Sequence, residues 1–196
     1  MAWDSSEMYS NGLDFFSALV EGVEPQAWER PAPPQGWTAA DVLGHVGEAT
    51  EMGARILRQG DMEFTRHDPP SSVIEGDPAA WWAALAADAR DALAGAGDLD
   101  REVDSPMGRR SVREGLSFPA VDLFIHGWDI ATATGQMVTF PDEAIAFTRA
   151  MFEKVPEEVS RRPGVFGPAL PAPPGANPTE ELIAWTGRDP HWVTPA

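Results

Sequence analysis

Apolar residues recur along this chain at intervals of three and four positions, which is the spacing of one face of an α-helix. Leu13, Phe16, Val20 and Val23 follow this spacing and predict a first helix from about Ser5 to Val23. No run alternates apolar and polar residues in the way of a half-buried strand. The pattern therefore predicts an all-α protein.

Capping signals divide the rest of the chain into further helices. A small polar residue followed by proline, or by an acidic residue three positions later, is typical of a helix start, and glycine commonly ends a helix. These signals predict starts at Thr38, Asp77, Ser111, Pro141 and Asn177, and ends at Gly60, Gly95 or Gly97, Gly135 and Gly187. Pro119 falls inside the helix that starts at Ser111, where we expect it to produce a kink.

These elements predict a four-helix bundle with an extra helix and a C-terminal tail that ends in a short helix. We expect residues 1–162 to form the bundle and residues 163–196 to form an extension packed on it. The extension carries too much apolar surface for a disordered tail, in Phe166, Leu182, Ile183, Trp185 and Trp192.

Composition limits the classes of partner. The chain has 196 residues, 43% of them hydrophobic, and a net charge of −17, which disfavours nucleic acids and anionic membrane surfaces. No apolar run is long enough to cross a membrane, and the N-terminus lacks the features of a signal peptide, so we expect a cytoplasmic protein. We expect it to be a monomer or a homodimer. There is no cysteine, so any thiol chemistry needs a thiol supplied by a cosubstrate.

The chain has four histidines, and two of them lie in apolar helical stretches. Asp122 and His126 are four residues apart and share one helix face; with His45 from another helix they could form a three-ligand metal site with an open position. The plainer alternatives are a buried histidine bonded to the backbone and an ordinary contact between neighbouring turns. Asp129 is a rival ligand or a support for an imidazole, and Glu48 is either a similar support or a solvated side chain.

The remaining candidates have weaker signals. His67 lies in a polar loop and is expected to be exposed, whereas His191 reaches a pocket only if the tail folds back. Tryptophans such as Trp37 are either core residues or pocket walls. Arg109, Arg110 and Arg113 form either a solvated basic face or a clamp for an acidic substrate.

Three stretches of the chain resemble a known family. They are Gly36-Trp-Thr-Ala-Ala-Asp-Val-Leu-Gly-His-Val46, Ala120-Val-Asp-Leu-Phe-Ile-His-Gly-Trp-Asp-Ile-Ala-Thr-Ala-Thr-Gly135 and Leu182-Ile-Ala-Trp-Thr-Gly-Arg-Asp-Pro190. Together they resemble the metal-binding domain of mycothiol-dependent maleylpyruvate isomerases in the DinB/YfiT-like superfamily, and the last stretch is similar to an actinobacterial subgroup of uncharacterised metal-binding proteins.

The resemblance implies a four-helix bundle that binds a divalent metal, usually zinc or nickel. It assigns the ligands to His45, Asp122 and His126, and leaves Asp129 as a support. The family often has glutamate where this chain has Asp122, and the shorter side chain is expected to draw a metal closer to the helix or to weaken its binding.

Three functions follow from these observations. The first is a metal-dependent enzyme that uses a small thiol such as mycothiol to attack an electrophilic substrate, by S-transfer or by thiol-assisted isomerisation. The second is a metal-dependent hydrolase with Asp129 or Glu48 as general base. The third is a non-catalytic bundle whose metal is structural.

Overall fold

The computed structural model describes residues 4–105, 108–161 and 165–195, and most of them are helical. The elements in chain order are α1 (Ser5–Glu21), α2 (Ala39–Gln59), α3 (Pro78–Ala94), β1 (Glu102–Val103), β2 (Arg110–Ser111), α4 (Val112–Gly115), α5 (Ser117–Thr134), α6 (Asp142–Phe152), α7 (Glu157–Ser160) and α8 (Pro178–Trp185).

The four long helices form a closed ring around the core. α1 packs on α5, α5 on α2, α2 on α3, and α3 on α1. α1 and α5 approach each other closely at Gly12, where a Cβ atom would lie 2.9 Å from the Leu123 side chain. This arrangement confirms the predicted all-α class and the four-helix bundle.

The predicted capping boxes are confirmed, because they depend only on neighbouring residues. The Thr38 hydroxyl accepts from the backbone N–H of Asp41, and the Asp41 carboxylate accepts from the backbone N–H of Thr38 at 2.9 Å. Ser111 with Glu114 and Asn177 with Glu180 form the same reciprocal pairs. Each of these helices therefore begins at the residue that the sequence indicates.

The helix that was predicted to run from Ser111 to Thr134 with a kink is instead two helices. α4 ends after Gly115, and α5 begins at Ser117, with Leu116 between them. Pro119 has no N–H to donate, and its ring would clash with the Gly115 carbonyl in a continuous helix. The chain therefore restarts the helix just before the proline.

Two short elements were not predicted. β1 and β2 form an antiparallel pair in which Glu102 faces Ser111 and Val103 faces Arg110. α7 spans a single turn. Neither element is long enough to show a hydrophobic period in the sequence.

The tail is in contact with the bundle where the structure describes it. Leu182 and Ile183 of α8 are buried in the main hydrophobic cluster. The Thr179 hydroxyl accepts a hydrogen bond from the backbone N–H of Phe140 at 2.8 Å. The predicted boundary between residues 162 and 163 lies outside the described residues.

Within the described ranges, no helix combines the length and the apolar character that crossing a membrane requires.

Candidate functional site

The three residues predicted as metal ligands lie together between α2 and α5. His45 on α2 places its Nε2 atom 3.9 Å from Asp122 Oδ2 on α5. The rings of His45 and His126 are 4.8 Å apart between centroids and nearly perpendicular, at 76°. Two imidazoles and one carboxylate therefore meet at one place in the bundle.

These donors are of the kind that zinc and nickel accept, but their spacing is wide. Ligand atoms around a tetrahedral zinc ion lie about 3.3 Å from one another, given bonds of about 2.0–2.1 Å. The His45–Asp122 separation of 3.9 Å exceeds this by a few tenths of an ångström. Over residues 4–105, 108–161 and 165–195, no three His, Asp or Glu side chains already have the arrangement of a metal site. The residue types fit a divalent metal, although the structure does not hold them at the spacing of a formed site.

His45 is buried among rings. Trp37, one residue before the Thr38 cap, lies 5.3 Å from the His45 ring, and Phe64 lies 5.7 Å away on the loop after α2. Burial, followed by the charge of His126, lowers the pKa of His45 to about 2. The imidazole is therefore neutral at physiological pH and keeps a lone pair for a cation.

Asp122 is the least enclosed of the three, with a side chain 31% exposed. Burial of the carboxyl raises its pKa, while His126 and Arg188 act in the opposite direction. A bound cation would favour the ionised carboxylate in the same way as these two positive groups.

His126 forms a hydrogen bond with Asp129. Asp129 is fully buried, and its Oδ2 lies 2.8 Å from His126 Nδ1. Arg188, from the segment after α8, donates to the same carboxylate through Nε at 2.7 Å and Nη2 at 2.8 Å. Burial alone would raise the pKa of Asp129, but Arg188 and the hydrogen bond to His126 lower it overall.

This contact fixes the role of each ring nitrogen. Because Asp129 is an ionised acceptor, His126 Nδ1 carries the proton and donates it. His126 Nε2 then points its lone pair away from Asp129 and can act as a ligand atom. The geometry thus matches the supporting position that was expected for Asp129.

Glu48 and His67 form a separate pair. The His67 backbone N–H donates to Glu48 Oε1 at 2.8 Å, and His67 Nδ1 lies 2.6 Å from the same atom. The Glu48 side chain is only 6% exposed, so the solvated alternative for Glu48 is wrong. His67 was expected to be merely exposed; its side chain is 53% exposed but is tied to a buried carboxylate.

The other sequence candidates lie outside the cluster. Arg109 is paired with Glu102 and Asp104, and Arg113 with Asp4 and Asp100, on the surface of the protein. These pairs favour the solvated-face interpretation over a substrate clamp. His191 is exposed and does not reach the cluster.

Sequence reasoning assigned no role to Arg188, Phe64 or Arg66. Arg188 lies in the third stretch that carries the family resemblance, which was the one available signal. Phe64 contacts His45, and the charge of Arg66 acts on both His45 and Asp122. Both come from a polar loop without periodicity, so the sequence gives no sign of their direction.

Comparison with known proteins identifies relatives of this chain. Residues 10–131, more than half of the chain, match the family described as the mycothiol maleylpyruvate isomerase N-terminal domain. Two uncharacterised proteins of Mycobacterium tuberculosis, from two strains, are each 28% identical to the chain over 92% of its length and 95% of theirs.

Solved structures show a related fold. The crystal structure of the mycothiol-dependent maleylpyruvate isomerase superposes with a TM-score of 0.59 at 15% identity. The match covers 73% of this chain and 65% of the isomerase, which is just under two thirds of that enzyme. A histidine-to-alanine mutant of the isomerase superposes with a TM-score of 0.56. The family match confirms the resemblance seen in the sequence, and the chain belongs to the mycothiol maleylpyruvate isomerase N-terminal domain family.

Proposed function

We propose that the protein is a metal-dependent enzyme that uses a small thiol, such as mycothiol, against an electrophilic substrate. His45, Asp122 and His126 would hold one divalent metal, zinc or nickel, through two nitrogens and one oxygen. A divalent cation at this position would lower the pKa of a thiol and favour the thiolate at neutral pH.

The observation that carries the proposal is the convergence of these three side chains on the face backed by Asp129 and Arg188. His45 is neutral because it is buried, and His126 is fixed in one tautomer by Asp129. The neutral His45 imidazole needs to lose no proton before it binds a cation.

The protein can bring the thiol only from outside, because its sequence contains no cysteine. Trp37 lies over both imidazoles, 5.3 Å from His45 and 6.2 Å from His126, and Phe64 closes another side of His45. These rings would exclude water from a reactive thiolate.

The chemistry conserves atoms in both reactions that we consider. In S-transfer, the thiolate sulfur forms a bond to the electrophilic carbon while the bond from that carbon to its leaving group breaks, and the leaving group departs with the electron pair. In isomerisation, the thiolate adds to one carbon of a conjugated double bond, the π electron pair moves onto the conjugated acceptor group of the substrate, and the resulting single bond rotates. Departure of the same thiolate then restores the double bond in the other geometry.

Hydrolysis receives less support, since both bases considered for it are already engaged. Asp129 accepts hydrogen bonds from Arg188 and is paired with His126. Glu48 directs one oxygen to His67 rather than toward a water at the cluster.

Elemental analysis of the purified protein, followed by calorimetric titration with mycothiol, tests the proposal. We expect one divalent metal per chain in the wild type, and loss of the metal in His45→Ala and in His126→Ala. Thiol binding to the metal-loaded protein should release close to one proton, detected by comparing buffers of different ionisation enthalpy. His191→Ala is the matched control and should keep both properties.

Full metal retention in both cluster variants would refute the ligand assignment. Metal binding without any mycothiol response would instead leave the non-catalytic alternative as the better description.

A further inference from the structure

A cavity of about 250 Å³ lies beside α2, and His45 is not among the residues that line it. Gly47, Glu48 and Glu51 of α2 line one wall, and Thr65 and His67 line another. Trp81 and Leu85 of α3 close the third side. The proposed metal cluster does not include any of these residues.

The loop after α2 separates the two sites. Phe64 packs its ring against His45 at 5.7 Å, whereas Thr65 and His67 line the cavity. The charge of Arg66 also acts on His45, so alternate residues of this segment serve the two sites. One layer of chain thus forms a wall between the imidazole cluster and the cavity.

The cavity contains an acceptor that lacks a protein partner. Glu48 has a side chain 6% exposed, and its Oε1 is occupied by His67. Its Oε2 is buried and receives no hydrogen bond from any part of the chain that the structure describes. Buried carboxylate oxygens are nearly always hydrogen-bonded, and an unpartnered one costs free energy. Glu48 therefore points to a ligand that donates.

The surrounding charges favour a cationic donor. Arg55, which also lines the cavity, forms an ion pair with Asp61, with Nε 3.3 Å from Oδ2, so its charge is balanced there, although that Nε–H makes no hydrogen bond within the described residues. Glu51 is exposed at the rim and adds a second negative charge. The Trp81 ring supplies an aromatic wall, and aromatic faces attract organic cations.

We propose that this cavity binds the ammonium group of a small organic amine. An N–H of the ammonium donates to Glu48 Oε2, and the alkyl part lies against Trp81 and Leu85. The site requires neither the metal nor the thiol of the proposed enzyme, so it can be tested with a chelator present.

Titration of the full chain with propylamine and with 1-propanol, in EDTA at pH 7.5, distinguishes recognition of the positive charge from recognition of the shape that the two molecules share. The signal is the NMR resonance of the Trp81 indole N–H, assigned by its absence in Trp81→Phe. We expect a saturable shift with propylamine and at least tenfold weaker binding of 1-propanol.

Glu48→Gln keeps the shape of the side chain and removes its charge, and it should weaken propylamine binding at least tenfold. Its melting temperature should equal or exceed that of the wild type, because an unpartnered buried carboxylate is lost. Glu143→Gln, on the exposed side of α6, is the matched control and should bind as the wild type does. Glu51→Gln changes only the exposed rim of the cavity and is a second test variant. We expect it to lower the affinity for propylamine by about two- to fivefold.

Several results would overturn the inference. The absence of a saturable shift would mean that the cavity holds water only. Equal binding of propanol, or unchanged amine binding in both Glu48→Gln and Glu51→Gln, would rule out recognition of a cation. Zn²⁺ can also be titrated into chelator-free protein. If it shifts the Trp81 signal, and if Glu48→Gln is the only one of these variants that lacks the shift, the cavity is a metal site instead.

Discussion

Asp129 decides which nitrogen of His126 faces the cluster. It is fully buried and accepts a hydrogen bond from His126 Nδ1, so Nε2 is the atom left for a ligand. The carboxylate is itself held as an ion by Arg188. Asp129, which has no place in the proposed ligand set, thus orients a residue that belongs to it.

We expect Asp129→Asn to weaken metal binding by about 10–100-fold without abolishing it, because the amide can still contact Nδ1 but does not stabilise the same tautomer as well. Competition with a metal-sensitive dye measures the affinity, under conditions where circular dichroism shows the variant to be folded. Asp91→Asn, exposed on α3, is the control. An experimental structure with an Asp129 oxygen bonded to the metal would reverse the assignment.

Much of this residue-scale chemistry was open to prediction from the sequence. The four-residue spacing places Asp122 and His126 on one helix face, and the three-residue spacing places Asp129 beside His126. The sequence cannot show that Arg188 completes the set, because a contact between residues 59 positions apart has no local signal.

At the scale of elements, the N-terminus of α2 joins two segments of the chain. Asp41 closes the capping box with Thr38 through Oδ2, and its Oδ1 accepts from the backbone N–H of Ser71 at 3.2 Å. Burial would raise the pKa of Asp41, but the hydrogen bonds from Ser71 and Thr38 outweigh it and lower the pKa below 3.8. The loop at residues 70–73 therefore depends on an ionised Asp41.

Asp41→Asn should accordingly reduce stability by roughly 0.5–2 kcal/mol at pH 7, the usual range for loss of a helix cap. Since the folded pKa lies below the unfolded value, the contribution of the carboxylate is complete above the unfolded pKa of about 3.8 and is lost as pH falls through the lowered folded pKa. Urea unfolding at pH 7 and pH 2.5 measures this. A difference between variant and wild type that grows on acidification would contradict the prediction.

The same helix has a second fixed contact at Gly44. A Cβ atom there would collide with the backbone carbonyl oxygen of Pro70. That oxygen belongs to the main chain and cannot turn aside as the end of a flexible side chain could. We expect Gly44→Ala to be destabilising by about 1–3 kcal/mol through overpacking, despite the better helix propensity of alanine. Gly97→Ala, where added Cβ atoms meet open space, is the control in the same denaturation experiment.

The element boundaries show where sequence patterns are sufficient. Thr38, Ser111 and Asn177 begin their helices as predicted, because a cap is an interaction among four consecutive residues. The break at Leu116 was predicted as a kink, since the sequence shows that Pro119 disturbs the helix but not how the surrounding core resolves it. The two-residue strands β1 and β2 are too short for any pattern.

At the scale of the whole molecule, a buried ion pair joins the tail to the bundle. Asp129 is completely buried on α5, and Arg188, with a side chain 12% exposed, is its charged partner from beyond α8. Removing one member of such a pair leaves an uncompensated charge in the interior. The tail is thereby coupled to the cluster as well as to the hydrophobic core.

Arg188→Met should cost roughly 3–5 kcal/mol of stability, because Asp129 loses its counter-ion in the protein interior. Adding Asp129→Leu should recover a large part of the loss, since an apolar pair of similar volume needs no charge compensation. Urea titrations of the two variants measure both effects. Arg90→Met, which removes a surface pair with Asp14, should cost less than about 1 kcal/mol.

Truncation after Arg162 tests the tail as a unit. We expect loss of the cooperative unfolding transition, because Leu182 and Ile183 belong to the main core and Arg188 neutralises Asp129. A truncated protein that remains folded but has lost thiol binding would identify the tail as a lid alone. A truncated protein with both properties intact would refute its packing role.

The distance in sequence between Asp129 and Arg188 also sets an order in time during synthesis on the ribosome. Arg188 is added 59 residues after Asp129, which at about 5–20 residues per second is a delay of roughly 3–12 s. Throughout that interval α5 has no counter-ion for its inward carboxylate, and His126 lacks a firmly ionised acceptor. If the proposed metal site is correct, the nascent bundle would therefore be poorly organised for metal capture until the arginine has been added, and a chain interrupted before residue 188 would lack the ion pair that orders the site.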